Sequence, residues 1–216
     1  MPNTFIGLDG EMTAADLSAG GRLIQIGLAV GEGEDDRITA LIGWSEGDYF
    51  AEPVAMGVHG IPPETIHAAP RAPEVDERLR DWCLVRGATE DRRTLVTVGW
   101  NVGAFDLPFV QHCLPRTFAL LSRRSVDLNA VCITLGGAAE HGGSRPKWTG
   151  WKRMSKRAAE DRLSALGVEP QWHDAGYDAL ASLFAWEWIR ERLAELRKPP
   201  RPEQDPSGPS ATPADT

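Results

Sequence analysis

Asp9 and Glu11 stand two residues apart in the stretch Phe5-Ile6-Gly7-Leu8-Asp9-Gly10-Glu11-Met12-Thr13. The apolar run ahead of them reads as a buried strand of a sheet. In extended backbone, residues i and i+2 point to the same side, so the two carboxylates share a face. Two ionised carboxylates on one face repel each other. A divalent cation such as magnesium is the counter-charge that suits carboxylate oxygens. Taken alone, Asp-Gly-Glu also fits a polar turn after a strand.

Three further residues supply the rest of such a site. Asp106 sits just beyond a second apolar run, Thr94–Trp100, and His173 and Asp178 belong to His-Asp-Ala-Gly-Tyr-Asp at the mouth of the predicted last helix. In α/β sheets, strand ends and helix starts collect at one rim, where ligands bind. Asp9, Glu11, Asp106 and Asp178 can therefore converge despite their separation in the chain. Four carboxylates can hold two divalent ions ~3.5–4 Å apart, which clamp the attacking and leaving oxygens of a phosphodiester during in-line displacement. One ion lowers the pKa of its bound water, and a neutral histidine nearby can take the proton as general base. His173 taken singly also fits a helix cap or a surface position.

In order and spacing, these residues resemble the DEDD superfamily of 3′–5′ exonucleases, in its histidine-bearing branch. Leu8-Asp9-Gly10-Glu11-Met12-Thr13 matches Asp-x-Glu-x-Thr, Asn101-Val102-Gly103-Ala104-Phe105-Asp106 matches Asn-x-x-x-Phe-Asp, and His173 to Asp178 matches His-x-Ala-x-x-Asp. Val58-His59-Gly60-Ile61, followed by Ala69-Pro70, is similar to a segment of the bacterial proofreading subunits, whereas Glu11-Met12-Thr13 is closer to the oligoribonuclease group. The similarity runs from Phe5 to about Ile189.

The resemblance implies a ribonuclease-H-like α/β fold, a central mixed β-sheet flanked by α-helices. It also implies two Mg²⁺ or Mn²⁺ ions and release of nucleoside monophosphates from the 3′ end of single-stranded DNA or RNA. By position, Asp9, Glu11, Asp106 and Asp178 become metal ligands and His173 the catalytic base. Met12, Thr13, His59, Asn101 and Phe105 fall where substrate is expected. Met12-Thr13-Ala14-Ala15 departs here from the Thr-Thr-Gly-Leu common in the family. Plainer roles compete for three of these: His59 packing beside the site, Asn101 tying the strand exit to backbone, and Phe105 as a buried ring. The rival to an enzyme is a catalytically silent nucleic-acid-binding or scaffold protein, whose mark would be a missing ligand; none of the five is missing.

The elements that must position these residues follow from pattern. Arg22–Val30 and Arg37–Trp44 read as strands joined by the Gly- and acid-rich turn Gly31–Asp36, hence an antiparallel pair. Glu52–Pro73 reads as loop with short helical turns, and Glu74–Arg86 as a helix with its stripe at Val75, Leu79, Trp82 and Cys83. Thr94–Trp100 is a buried strand, Leu107–Cys113 a helix, Ser125–Asp127 a brief strand and Leu128–Leu135 a helix. Gly136–Gly150 reads as a glycine-rich loop, with helices following over Lys152–Leu166 and Gly176–Arg197. Residues 1–197 thus form one exonuclease-like domain. The proline-dense segment 198–216 lacks a hydrophobic pattern and is expected to be disordered.

At 216 residues the chain can bury a full core, and its net charge of -8 argues against a general duplex-coating protein. Local charge is different: residues 144–157 (SRPKWTGWKRMSKR) carry six Lys or Arg, no acid, and Trp148 and Trp151. Such a run offers charge to phosphates and aromatic faces to unstacked bases, or is a solvated loop with its tryptophans on the core. Cys83, Cys113 and Cys132 read as reduced, buried thiols. No apolar run is long enough for a membrane span and no secretory pattern opens the chain, so a cytoplasmic protein is expected. Single-stranded nucleic acid is the expected partner. A homodimer or a polymerase partner, tethered through the tail, is compatible with that expectation.

Overall fold

The computed structural model describes residues 4–89, 94–138 and 148–196. The segment 198–216, expected to be disordered, lies outside the described residues.

Strands β1 (Thr4–Met12), β2 (Leu23–Ala29) and β3 (Arg37–Leu41) open the chain. Helices α1 (Pro53–His59), α2 (Pro63–Ala68) and α3 (Ala72–Val85) lead to β4 (Leu95–Gly99). Then come α4 (Asp106–Cys113), α5 (Pro115–Leu120), β5 (Leu121–Asp127), α6 (Leu128–Ala138), α7 (Trp148–Ala165) and α8 (Ala175–Leu196). The five strands form one sheet in the order β3-β2-β1-β4-β5. β1, β2 and β3 pair antiparallel, whereas β4 lies parallel to both β1 and β5. This is the mixed sheet flanked by helices expected from the sequence.

The alternation of β1 decides which residues meet which face. Ile6, Leu8 and Met12 enter one core with Val75, Leu79 and Phe109, the layer of α3 and α4. Phe5 and Gly7 face α8 instead: Phe5 packs edge-on against Trp186, and Gly7 lies against Ala179. Asp9 and Glu11 continue that second row. The same residue-by-residue alternation that buries the strand therefore delivers both carboxylates to the start of α8. A second core of Leu128, Cys132, Ala159, Leu163, Leu180 and Phe184 holds α6, α7 and α8 on this face.

Several boundaries differ from expectation. Asp9-Gly10-Glu11 keeps the extended backbone expected of it rather than the alternative turn, but β1 runs on to Met12, paired with β2 in the register Asp9↔Gly27 and Glu11↔Gln25. β5 begins at Leu121 rather than Ser125, because its pairing with β4 opens at Leu95↔Leu121. Gly136–Gly150 is not one loop: α6 extends to Ala138 and α7 starts at Trp148, with residues 139–147 outside the described residues. The described part of the basic run is therefore helical. All three cysteines are buried and unpaired. Among the described residues, no helix is long and apolar enough to cross a membrane.

Candidate metal and nucleic-acid site

β1 outruns its parallel neighbour. The last β1–β4 pair is Gly7↔Val98, so Gly10 has no strand on that side. Its N–H donates instead to Asp106 Oδ1 at 3.0 Å. Asp106 is the first residue of α4 and almost fully buried, so the bond both satisfies the strand edge and fixes a carboxylate beside Asp9. The gap beyond the end of β4 is the crevice where α/β sheets bind ligands.

The opposite wall is the entrance to α8. Asp174 caps that helix, accepting from the N–H groups of Gly176 and Tyr177 at 3.1 Å each. Gln25 of β2 clamps the cap from below: its Nε2 donates to Asp174 Oδ2 at 3.0 Å, and its Oε1 accepts from Ala175 N–H at 3.0 Å. His173 precedes the cap with φ of 67°, a left-handed conformation outside glycine, and its N–H donates to Asp178 Oδ2 at 2.9 Å. Its side chain is exposed to solvent, as a proton acceptor needs.

Asp9, Glu11, Asp106, His173 and Asp178 all line one cavity of about 270 Å³. Ligand atoms of Glu11, His173 and Asp178 lie within 4.8 Å of one another. The set shows the electrostatic signature of gathered acids. Burial first, then the charges of Asp178, Asp106 and Asp174, pushes the Glu11 carboxyl up to about 8. Burial lifts Asp106 to about 7, against the hydrogen bond from Gly10. Asp9 is raised well above the usual range by burial and by Asp106, Asp178 and Glu11. Burial raises Asp178 too, opposed by the His173 N–H and by the charges of His173 and Lys156. Asp178 Oδ1 is buried with no hydrogen-bond partner. Mutually repelling oxygens and an orphaned carboxylate atom fit hard divalent cations.

The five residues expected at substrate divide. Phe105 is 38% exposed and lines the cavity, so it is not the buried ring the plainer account expected. Asn101 also lines it, at a φ of 63°. Its side chain does not bind backbone: Oδ1 accepts from Asn129 Nδ2 at 2.8 Å. Met12 and Thr13 turn inward, at 4% and 0% exposure. Thr13 Oγ1 accepts from Arg22 N–H at 3.0 Å, and its carbonyl from Glu52 N–H at 2.8 Å, tying the end of β1 to the start of α1. These two side chains brace the site. His59 closes α1, with Nδ1 accepting from Ile61 N–H at 2.9 Å. Its pKa is lowered by burial and by the charge of His173, so it lies within electrostatic reach of the site without lining the cavity.

Sequence reasoning missed Gln25, Asp127, Asn129 and Asp174 as supports. Asp127 and Asp174 carried a local signal, an aspartate just before a helix. Asp127 Oδ1 accepts from the N–H groups of Asn129 and Ala130 at 2.9 and 3.2 Å. Gln25 carried none, because its partners stand about 150 residues away.

No family model matches the chain, and no curated protein matches it in sequence. Solved structures do match. E. coli exonuclease I, as a zinc-bound complex with single-stranded DNA, superposes with a TM-score of 0.60 at 18% identity, over 91% of this chain and 42% of that one. The chain shares the fold of that exonuclease. Cell-death related nuclease 4 shares it at 15% identity and a TM-score of 0.57, over 88% of this chain and 64% of that one. So does S. pombe Pop2p in its Mg²⁺- and Mn²⁺-bound form, at 12% identity and a TM-score of 0.58, over 89% and 85%. This chain spans less than half the length of the exonuclease I chains it matches.

Proposed function

We propose that the protein is a metal-dependent 3′–5′ exonuclease that releases nucleoside monophosphates from single-stranded DNA or RNA. The observation that carries this reading is the meeting of Asp9, Glu11, Asp106, His173 and Asp178, drawn from three distant motifs, around one cavity. The fold shared with exonuclease I, solved with single-stranded DNA, and with Pop2p, solved with Mg²⁺ and Mn²⁺, supports the substrate and metal classes.

In this reading Asp9, Glu11, Asp106 and Asp178 hold two Mg²⁺ or Mn²⁺ ions. Ions bound there supply positive charge to the scissile phosphate and favour ionisation of the attacking water. The remaining work falls to the chain. His173 takes the proton of that water at its imidazole, which the left-handed turn and the Asp178 contact hold at the rim. Asn101 and Phe105, on the β4 side of the cavity, contact the terminal nucleotide. His59 and the buried pair Met12 and Thr13 support the floor.

The test is direct. Labelled single-stranded DNA, single-stranded RNA and a dinucleotide are incubated with the protein in Mg²⁺ or Mn²⁺, and products are resolved by length and end. Stepwise shortening from the 3′ end is expected. Asp9→Ala and Asp178→Ala should nearly abolish it in folded protein, and full activity in either variant overturns the assignment.

A further inference from the structure

Helix α7 turns two of its lysines towards the carboxylate cavity. Lys152 and Lys156 are four residues apart, on one face of the helix, and both line the same cavity as the acids. The sequence places Trp148 and Trp151 within this basic run, and the fold brings it two further rings, Trp100 and Trp172. Trp151 packs edge-on against Trp188, in the layer between α7 and α8. Lys156 Nζ stands 5.3 Å from the centre of Trp100 and 4.8 Å from that of Trp172. Lys152 Nζ stands 5.0 Å from Trp100 and donates to Asn129 Oδ1 at 2.9 Å.

These contacts separate the two lysines. Lys152 is committed to the Asn129–Asn101 chain of hydrogen bonds, which braces the exit of β4. Lys156 rests between two ring faces, which attract an ammonium without consuming its hydrogen-bond donors. Its charge acts on Asp9 and Asp178, yet it is in none of the ion pairs among the described residues. The two rings also belong to the site's own framework. Trp100 immediately precedes Asn101, and Trp172 immediately precedes His173. A half-buried ammonium is thus held at the edge of a cleft that must accept a polyanion, with its donors still unspent.

We propose that Lys156 is the ligand for a backbone phosphate of the single strand entering the cleft. The proposal rests on the nuclease reading above and adds a subsite to it. A compact point charge with three rotatable donors suits a phosphate whose orientation changes as the strand advances.

The experiment is a salt titration of binding. Fluorescein-labelled DNA and RNA strands of about ten nucleotides, with phosphorothioates at the 3′-terminal linkages to slow cleavage, are bound to the full-length protein in Mg²⁺. Each phosphate contact on a single strand contributes about 0.7 to the slope of log K against log[salt]. Lys156→Gln should therefore flatten the slope by about 0.7 and weaken binding roughly 10-fold at ~0.1 M salt. On cleavable strands, KM should rise while kcat stays within about 3-fold, since a contact made equally in ground and transition states affects binding alone. Lys156→Arg should restore the slope, which also controls for folding of the variant. An unchanged slope in folded Lys156→Gln overturns the subsite and leaves the nuclease reading standing. A wild-type protein that neither binds nor cleaves either strand overturns both.

Discussion

Gly7 of β1 lies against the carbonyl of Ala179 in α8, with no room between them for a β-carbon. Asp9 is two residues further along the strand, and Asp178 is one residue back along the helix. The depth of this contact therefore sets how closely two of the gathered carboxylates approach. Gly7→Ala is expected to lift α8 from the sheet at a cost of about 1–3 kcal/mol, the usual price of overpacking a core. Turnover should also fall in protein that is still folded. Urea unfolding measures the first effect and initial rates well below the melting temperature the second. Full turnover alongside lost stability would detach the placement of Asp178 from this contact.

Gln25 makes the second join between sheet and helix. Gln25→Ala strands Asp174 Oδ2 and the Ala175 N–H, both at the helix entrance. Leaving such groups without partners costs about 1–3 kcal/mol. The cap contacts from Gly176 and Tyr177 remain, so α8 itself should persist in circular dichroism. The observable is a lower melting temperature combined with faster amide exchange at residues 173–177. A variant with exchange unchanged there would show that the cap alone holds the loop.

How much of this was legible beforehand follows from the range of the forces involved. The strand at Phe5–Leu8 and the last helix were legible because hydrophobic period is local. The extended backbone of Asp9-Gly10-Glu11 was legible as well, but its support was not, because the Gly10 N–H is taken by Asp106 from across 96 residues. The four acids and His173 were legible as a set only through their spacing, and the fold then brought them to one cavity. The charge of residues 144–157 could be counted from the sequence. Its aromatic partners could not, since α7 carries Lys156 to Trp100 and Trp172, two rings outside that stretch. The inward turn of Met12 and Thr13 follows from strand pairing past the expected end of β1, again a non-local cause.

The raised acids make a prediction about pH in metal-free protein. Glu11 moves from its ordinary 4.5 to about 8, and Asp106 from 3.8 to about 7. The folded state therefore holds protons that the unfolded chain releases. With more protons bound to the native state, stability falls as pH rises. This contribution is fully present below the unfolded values near 4 and is lost as pH climbs through about 7 and 8. The melting temperature without metal should thus decline from pH 5 to pH 8, on the order of several degrees. Added Mg²⁺ or Mn²⁺ should raise it most at the alkaline end and release protons on binding. Glu11→Gln should flatten the metal-free decline and remove most of the gain from metal. A metal-free melting temperature that rises over the same range would contradict the gathering of these carboxylates.

His173 offers the sharpest separation of roles, because two kinds of contact meet on it. Its backbone N–H holds Asp178, whereas its imidazole is exposed at the rim of the cavity. His173→Ala keeps the first and deletes the second. The rate should fall by about 10²–10⁴, the size of a general-base effect. Metal-induced stabilisation should change little, since the four carboxylates remain. His173→Gly tests the backbone instead: glycine accepts the left-handed φ of 67° without a side-chain penalty, so this variant should be at least as stable as the alanine and equally slow. A paired loss, in which alanine loses metal stabilisation as well as rate, would move His173 from proton acceptor to metal ligand, a role compatible with its 4.8 Å grouping with Glu11 and Asp178. A pH–rate profile of the alanine variant that matches the wild type in shape and height would remove the imidazole from the reaction altogether.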